Sequence, residues 1–172
     1  PTPDGVALLP ASLDLAGADR ALAERRGREY VVRDALALVN DRYDWIVLDC
    51  SPSLGIMTVA ALTAADEVIV PLQCETLSHR GVGQLMETIA DVQRLTNPRL
   101  RVAGLLPTLY DGRTAHAKAV LQDLGPRYGV RVFRPIRRSI RFAEAPATGR
   151  TILATAGSTP AADDYRRSEE HT

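Results

Sequence analysis

Short apolar runs alternate with amphipathic segments along most of the chain. Two of the runs, Trp45 to Leu48 and Val68 to Leu72, are continuous and contain no polar residue. A strand without polar alternation is typical of a parallel sheet that is buried on both faces. The pattern predicts further strands at positions 6–9, 102–109 and 130–133, and a last edge strand at 152–154.

The segments between these runs carry the spacing of helices. Val82, Leu85, Ile89 and Val92 lie on one face of a predicted helix over 81–95, and Asn97-Pro98 follows as a stop signal. Strands that alternate with helices indicate an α/β fold, in which helices cover both sides of a mostly parallel sheet in three layers. Other helices are predicted at 18–28, 31–42, 55–64 and 114–128, with a short helix or turn at 139–145.

Composition adds little to this picture except in its basic residues. The chain has 172 residues, a formal net charge of zero and two cysteines, which fits one α/β domain in a reduced cytosol. Bulk charge therefore favours neither nucleic acid nor a membrane surface, and no apolar run approaches the roughly 18 residues of a membrane span. Of the 21 basic residues only Lys118 is a lysine, which suggests a GC-rich bacterial genome.

Polar residues follow several of the predicted strands. Ligands of parallel α/β sheets gather at the carboxyl ends of the strands, which draws attention to Asp49, Gln73, Asp111 and the segment after Phe133. Four apolar residues followed by Asp49 have the form of a Walker B strand, whose carboxylate holds Mg²⁺ beside nucleotide phosphates. The alternative is that Asp49 caps the following helix. Gln73, Glu75 and Asp111 are explained by capping or loop hydrogen bonds, and we assign them no catalytic role.

Five segments in the same order resemble the ParA/Soj family of partitioning ATPases. Residues 49–55, Asp-Cys-Ser-Pro-Ser-Leu-Gly, resemble its switch II motif D-C-P-P-S-L-G. The other four segments are 9–18 (I-P-A-T-x-x-L-A-G-A in the family), 71–75 (P-V-Q-C-E), 106–114 (L-L-T-M-Y-D-A-R-T) and 141–146 (R-L-S-E-A-P). Together they cover about residues 6–165.

The resemblance implies a P-loop NTPase-type fold and a set of nucleotide-handling residues. Asp49 would be the catalytic Walker B residue in the shell of Mg²⁺, and Cys50, Ser51, Pro52 and Gly55 would belong to switch II. Thr108, Arg137 and Ser139 are candidates for nucleotide binding. The implied cofactors are ATP and Mg²⁺, and the implied reaction is ATP hydrolysis.

The resemblance also implies partners. Arg113 and Arg141 match family arginines that hold non-specific DNA, which arginine does through phosphate contacts without reading bases. Residues Arg134, Arg137 and Arg138 add positive charge nearby. On composition alone, a solvated basic loop is the alternative. A family member would form an ATP-bound homodimer on the nucleoid in the cytoplasm, respond to a ParB/Spo0J-type partner and need no membrane.

Several features depart from the family pattern. Ser51 replaces a proline of switch II, Ala60 stands where an asparagine is frequent, and Arg137 stands where many members have a proline. The family's phosphate-binding loop K-G-G-V-G-K-T has no counterpart, because the sequence contains no Gly-Lys pair. We therefore expect the loop and the N-terminal strands upstream of Pro1, and we expect this fragment alone not to hydrolyse ATP.

The sequence also predicts how the chain is divided, and two alternative functions stay open. Residues 1–166 are interpreted as the carboxyl-terminal two-thirds of a ParA-type domain. Residues 167–172 are interpreted as a non-native tail, because Arg-Ser-Glu-Glu-His-Thr back-translates to the start of a common sequencing adapter. The alternatives are a MinD-like ATPase that positions division at the membrane, and a non-enzymatic ParA-like binding module without a phosphate-binding loop.

Overall fold

Helices and parallel strands alternate along the central part of the chain. The computed structural model describes residues 5–12, 15, 17–74 and 79–169. The chain divides into two compact units, Pro1–Asp66 with Glu87–Leu100, and Glu67–Met86 with Arg101–Thr172. In chain order the elements are α1 (Ala18–Ala21), α2 (Val31–Leu36), α3 (Ile56–Ala64), β1 (Glu67–Gln73), α4 (His79–Leu95), β2 (Arg101–Thr108), α5 (Ala115–Tyr128), α6 (Arg141–Ala147), α7 (Ile152–Thr155) and α8 (Pro160–Glu169), with 3-10 turns at Arg28–Tyr30 and Asn40–Arg42.

The second unit is built on a parallel strand pair. Strands β1 and β2 pair from Glu67 opposite Arg101 to Gln73 opposite Thr108. The register shifts after Val68, so that Ile69 faces Gly104. A β-carbon at Gly104 would lie 2.7 Å from the carbonyl oxygen of Arg131, so this position requires glycine for the next segment to approach. The predicted α/β alternation with a parallel sheet is confirmed.

That next segment follows β2 without forming a full ladder. Leu105 donates to the Arg131 carbonyl and accepts from the Phe133 amide, each at 2.9 Å. Tyr110 and Arg137 form a second parallel bridge further along. The strand predicted at 130–133 is therefore present only as an isolated bridge at Val132. This register still brings the end of β2 beside residues 136–138.

The first unit is organised around α3. This helix contacts α1 and α2, and Ala60, Ala61 and Leu62 on it are buried. Asn97 donates from Nδ2 to the carbonyl oxygens of Leu62 and Ala65, at 3.1 and 2.7 Å. These bonds satisfy carbonyls that the end of α3 leaves without helical partners. Asn97 thus follows the end of α4 and caps the carboxyl-terminal end of α3.

Predicted helices and strands of the central region are confirmed with small changes of boundary. The predictions at 55–64, 81–95, 114–128 and 139–145 correspond to α3, α4, α5 and α6, and those at 68–72 and 102–109 to β1 and β2. The helices predicted at 18–28 and 31–42 are shorter than expected. The first already ends at Ala21, and Gly27, with a φ of 68°, precedes a separate 3-10 turn; the second gives way to a turn after Leu36.

Two predicted strands are wrong as descriptions of this structure. Residues 6–9 and 45–48 have no regular secondary structure, and no described segment hydrogen-bonds beside them as a strand. Trp45 and Val47 are 84% and 87% exposed. A strand needs a neighbour for its N–H and C=O groups, so an apolar run alone does not form one.

The edge strand predicted at 152–154 is also wrong, since these residues belong to α7. The Thr151 hydroxyl accepts the Ala154 amide at 3.3 Å, which caps the helix. Ile152 then joins Ala145, Ala161 and Ala162 in a buried cluster that holds α6, α7 and α8 together. Of the helices described, none is long and apolar enough to cross a membrane.

Candidate functional site

The Asp49–Gly55 loop leads from the exposed apolar run into α3. Ser51 Oγ accepts the Ser53 amide at 3.4 Å and lies 3.3 Å from Ser53 Oγ. The Thr58 hydroxyl on α3 donates to the Ser53 carbonyl at 2.6 Å. Gly55 precedes α3 in an extended conformation and makes no side-chain cap. The loop is thus held by small hydroxyl residues and by the first turn of α3.

Asp49 lies at the start of this loop with its carboxylate exposed. It makes no hydrogen bond or ion pair with the residues that the structure describes, so it does not cap α3 as the alternative required. Mg²⁺ is bound through oxygen ligands and usually keeps several waters, taking only one or two protein carboxylates. An available carboxylate suits that role. Among the described residues there is no group of three acids, histidines or cysteines that could hold a metal ion by itself.

Cys50 follows Asp49, and its thiol is not activated. Desolvation raises the pKa of the thiol above its ordinary value, and the neighbouring Asp49 charge raises it further. A neutral thiol is a poor nucleophile and a poor metal ligand. Cys50 and Cys74 are both free thiols. Ser51, Pro52 and Gly55 lie in the same loop, and their assignment to switch II stays a prediction.

The loop after β2 carries Arg113. Thr108 ends the strand and donates to the Leu72 carbonyl at 3.0 Å, so its hydroxyl ties β2 to β1. Leu109 then takes a φ of 50°, which is uncommon for a residue other than glycine, and Tyr110 after it still bridges to Arg137. Thr114 accepts the Ala117 amide at 3.2 Å and begins α5.

Arg113 forms a forked ion pair with Asp111. Its Nε lies 2.9 Å from Asp111 Oδ1, and its Nη2 lies 2.6 Å from Oδ2. The Arg113 side chain is 90% exposed, whereas that of Asp111 is 18% exposed. Hydrogen bonds from Arg113 hold the pKa of Asp111 far below its ordinary value, with a smaller contribution from the charge of Arg138. The loop hydrogen bonding predicted for Asp111 is confirmed.

Arg137 has a different partner, the buried carboxylate of Asp164 on α8. Its Nε and Nη2 donate to this carboxylate at 2.6 and 3.1 Å, and its backbone amide donates at 3.1 Å. Arg167 adds a fourth bond at 2.7 Å. These bonds tie Arg137 to α8. A role of Arg137 in nucleotide binding remains a prediction.

Arg141 is the first residue of α6, and Ser139 lies two residues before it. Ser139 Oγ accepts the Arg141 amide at 3.3 Å. Arg141 pairs with Glu144 at 2.9 Å through one hydrogen bond, and its side chain is 57% exposed. Arg113 and Arg141 are therefore both exposed on the second unit, and each carries a carboxylate partner.

Neither Asp164 nor the pairing of Arg113 with Asp111 was predicted from the sequence. The spacing of Asp164 and Arg167 was a visible signal for an i,i+3 helix pair, since residues three apart on a helix are neighbours. The longer connection to Arg137 spans 27 positions and had no local signal. Glu75, at the end of the 71–75 segment, lies outside the described residues.

Comparison with known proteins places these segments in a family. The AAA domain family (AAA_31) matches residues 2–102. The chromosome partitioning protein ParA of Caulobacter vibrioides (strain NA1000 / CB15N) is 41% identical over 152 residues, which are 87% of this chain and 57% of the relative. The chromosome-partitioning ATPase Soj of Thermus thermophilus is 44% identical over 168 residues, with coverages of 97% and 66%.

Solved structures show the same fold. The crystal structure of cobyrinic acid a,c-diamide synthase from Mycobacterium smegmatis, with bound ATP analog and magnesium, matches with a TM-score of 0.76 and 48% identity over 91% of this chain and 66% of that one. The structure of apo McdA from Cyanothece matches with a TM-score of 0.81 at 21% identity, covering 95% of this chain and 67% of its own, and supports the fold alone. This chain thus spans about 57 to 66% of the length of its curated relatives ParA and Soj.

Proposed function

The chain belongs to the ParA/Soj group of AAA domains, and we propose that it forms the carboxyl-terminal part of a DNA-partitioning ATPase. In this proposal the whole protein binds ATP, dimerises and holds non-specific DNA until hydrolysis releases it. The observation that carries the DNA step is the exposure of Arg113 and Arg141, at the two positions where the family resemblance expects phosphate contacts.

The nucleotide step rests on Asp49. Its exposed carboxylate at the start of the switch-like loop is available to a metal shell. Mg²⁺ bound there would neutralise charge that develops on the phosphates during transfer to water. The remaining phosphate contacts are expected from a K-G-G-V-G-K-T loop encoded upstream of Pro1. We therefore expect the 172-residue chain alone to show no ATP hydrolysis.

The partners follow from the same proposal. The whole protein would act as a cytoplasmic homodimer on the nucleoid, and a ParB/Spo0J-type protein would stimulate its turnover. The curated ParA and Soj relatives carry chromosome-partitioning names, which favours this role over a MinD-like one. The similar cobyrinic acid a,c-diamide synthase carries a different activity in its name. Exposed arginines suited to phosphate support the partitioning role.

A salt titration of DNA affinity with ATP tests the proposal in the protein that includes the upstream residues. Replacing Arg113 or Arg141 by alanine should weaken binding to all DNA sequences equally. The slope of log K against log salt is negative, and each lost phosphate contact makes it shallower by about 0.9, so the slope of a symmetric dimer becomes shallower by roughly 1.8 per substitution. ATP binding should persist, because neither arginine is assigned to the nucleotide.

The matched control is Arg127→Ala on α5. Arg127 is also exposed and paired with a carboxylate, that of Asp123, but it lies outside the proposed contact positions. Arg127→Ala should leave the slope of log K against log salt unchanged. Unchanged slopes in both Arg113→Ala and Arg141→Ala would show that these arginines are solvated, and would refute the proposed DNA surface.

A further inference from the structure

One edge of the Arg113 guanidinium is already occupied by a carboxylate. Asp111 takes the edge formed by Nε and Nη2, through contacts of 2.9 and 2.6 Å. Nη1 makes no hydrogen bond with a described residue, and the side chain is 90% exposed. A guanidinium presents five N–H donors in a planar fork, so the outer edge remains available to a second anion.

Asp111 is fixed where it stands. Its Oδ1 accepts the backbone amide of Arg113 at 3.0 Å, and its carbonyl oxygen accepts both the amide and the hydroxyl of Thr114 at 3.1 Å. With 18% of its side chain exposed, it has little freedom to turn away when another anion approaches. The carboxylate therefore stays within a few ångströms of any phosphate that binds the outer edge of Arg113.

We propose that Asp111 is a positioning residue that orients Arg113 and weakens its attraction for a DNA phosphate. The inference rests on the proposed DNA-binding function and concerns the regulation of that same site. The orientation of one exposed side chain contributes little, since exposed ion pairs have a median worth near zero. The repulsion between Asp111 and the phosphate is therefore the larger effect, and Asp111 lowers the affinity that Arg113 would give alone.

Coulomb's law sets the expected size of this attenuation. A carboxylate charge about 6 Å from a phosphate charge in water raises the dissociation constant about threefold, or roughly tenfold over the two sites of a dimer. The effect should be largest at low ionic strength and fade at high salt. Removal of Asp111 should also steepen the salt dependence, because Arg113 then meets the phosphate with its full charge.

The test is a salt titration of DNA affinity with ATP, on the full protein with its upstream residues. Asp111→Asn keeps a side-chain oxygen for the Arg113 amide, removes the charge, and replaces the second oxygen by an NH₂ group that cannot accept from Arg113. The control is Asp123→Asn, which also removes one acid from an exposed pair, that with Arg127. Asp111→Asn should tighten binding roughly tenfold at low salt, and Asp123→Asn clearly less. In the Arg113→Ala background the extra gain should disappear.

Three results would overturn the inference: weaker binding by Asp111→Asn, gains that match those of Asp123→Asn, or a full gain that persists without Arg113. Weaker binding would identify orientation as the dominant role of Asp111. Failure of the proposed function itself would give different results. If the wild type shows no ATP-dependent DNA binding, the proposed function fails; if Arg113→Ala and Arg141→Ala bind like wild type, the proposed DNA surface fails. In either case the inference falls as well.

Discussion

The buried carboxylate of Asp164 offers a direct test of how the second unit is held together. Its side chain is 8% exposed and accepts four hydrogen bonds, three from Arg137 and one from Arg167. Asp164→Asn preserves the size of the side chain but removes its charge. It also turns an NH₂ group toward guanidinium donors that need acceptors.

The expected loss of stability is about 2 kcal/mol. Hydrogen bonds to charged groups contribute about 1.5–3 kcal/mol each, but those of one network do not add. Removing one partner from a fully buried pair costs about 3–5 kcal/mol, which is an upper limit because Arg137 is 49% exposed. Arg137→Ala should cost more than Arg167→Ala, since the Arg137 side chain supplies two of the four bonds and the Arg167 side chain one; the backbone amide bond of residue 137 is kept.

The assay is urea unfolding of the 172-residue chain, combined with hydrogen exchange of the peptides that contain 131–138 and α8. The matched control is Asp163→Asn, the adjacent residue on α8, whose exposed side chain pairs with Arg166. The control should shift stability by no more than about 0.5 kcal/mol. Faster exchange should appear at the Arg137 amide in Asp164→Asn alone. Equal unfolding midpoints for the two variants would refute the reasoning.

Acidification provides a second readout of the same group. Burial raises the pKa of Asp164, but the hydrogen bonds from Arg137 and Arg167 outweigh it, and the net pKa lies below the ordinary value. A carboxyl whose pKa is lowered by folding contributes stability above its unfolded pKa, near 3.9, and loses it as the pH falls through the folded pKa. The stability difference between wild type and Asp164→Asn should therefore be constant near neutral pH and shrink below about pH 4.

Two shorter predictions concern other parts of the chain. Asp49→Ala, in the protein with its upstream residues, should abolish Mg²⁺-dependent ATP turnover while the circular dichroism spectrum stays unchanged; turnover within about twofold of wild type would remove Asp49 from the metal shell. Gly104→Ala should destabilise the second unit by about 1–3 kcal/mol in urea unfolding, because its β-carbon would meet the Arg131 carbonyl oxygen and the Phe133 ring. The control is Gly129→Ala, which has a φ of 64° but open space around it, so its loss of stability measures backbone strain without the clash.

Local periodicity was enough to predict the central helices and strands. The apolar face of Val82, Leu85, Ile89 and Val92 predicted α4, and Asn97 ends it as expected because its side chain accepts the Arg99 amide and donates to the end of α3. The continuous apolar run from Trp45 to Leu48 also has the pattern of a buried strand, but it forms no strand. Strand formation depends on a partner elsewhere in the sequence, and composition carries no information about which segment supplies it.

The arginines show why charge alone could not rank the candidate DNA-binding residues. Arg113, Arg137 and Arg141 are equivalent in a count of basic residues, and the resemblance assigned them only by position. Their partners separate them: Asp164 is buried and engages Arg137, whereas Asp111 leaves the outer edge of Arg113 facing solvent. Both guanidinium groups pair through the Nε–Nη2 edge, but the Arg113 side chain is 90% exposed and that of Arg137 only 49%. Arg113 therefore offers more of its guanidinium to a phosphate, and it should contribute more to DNA affinity than Arg137, despite their equal charge.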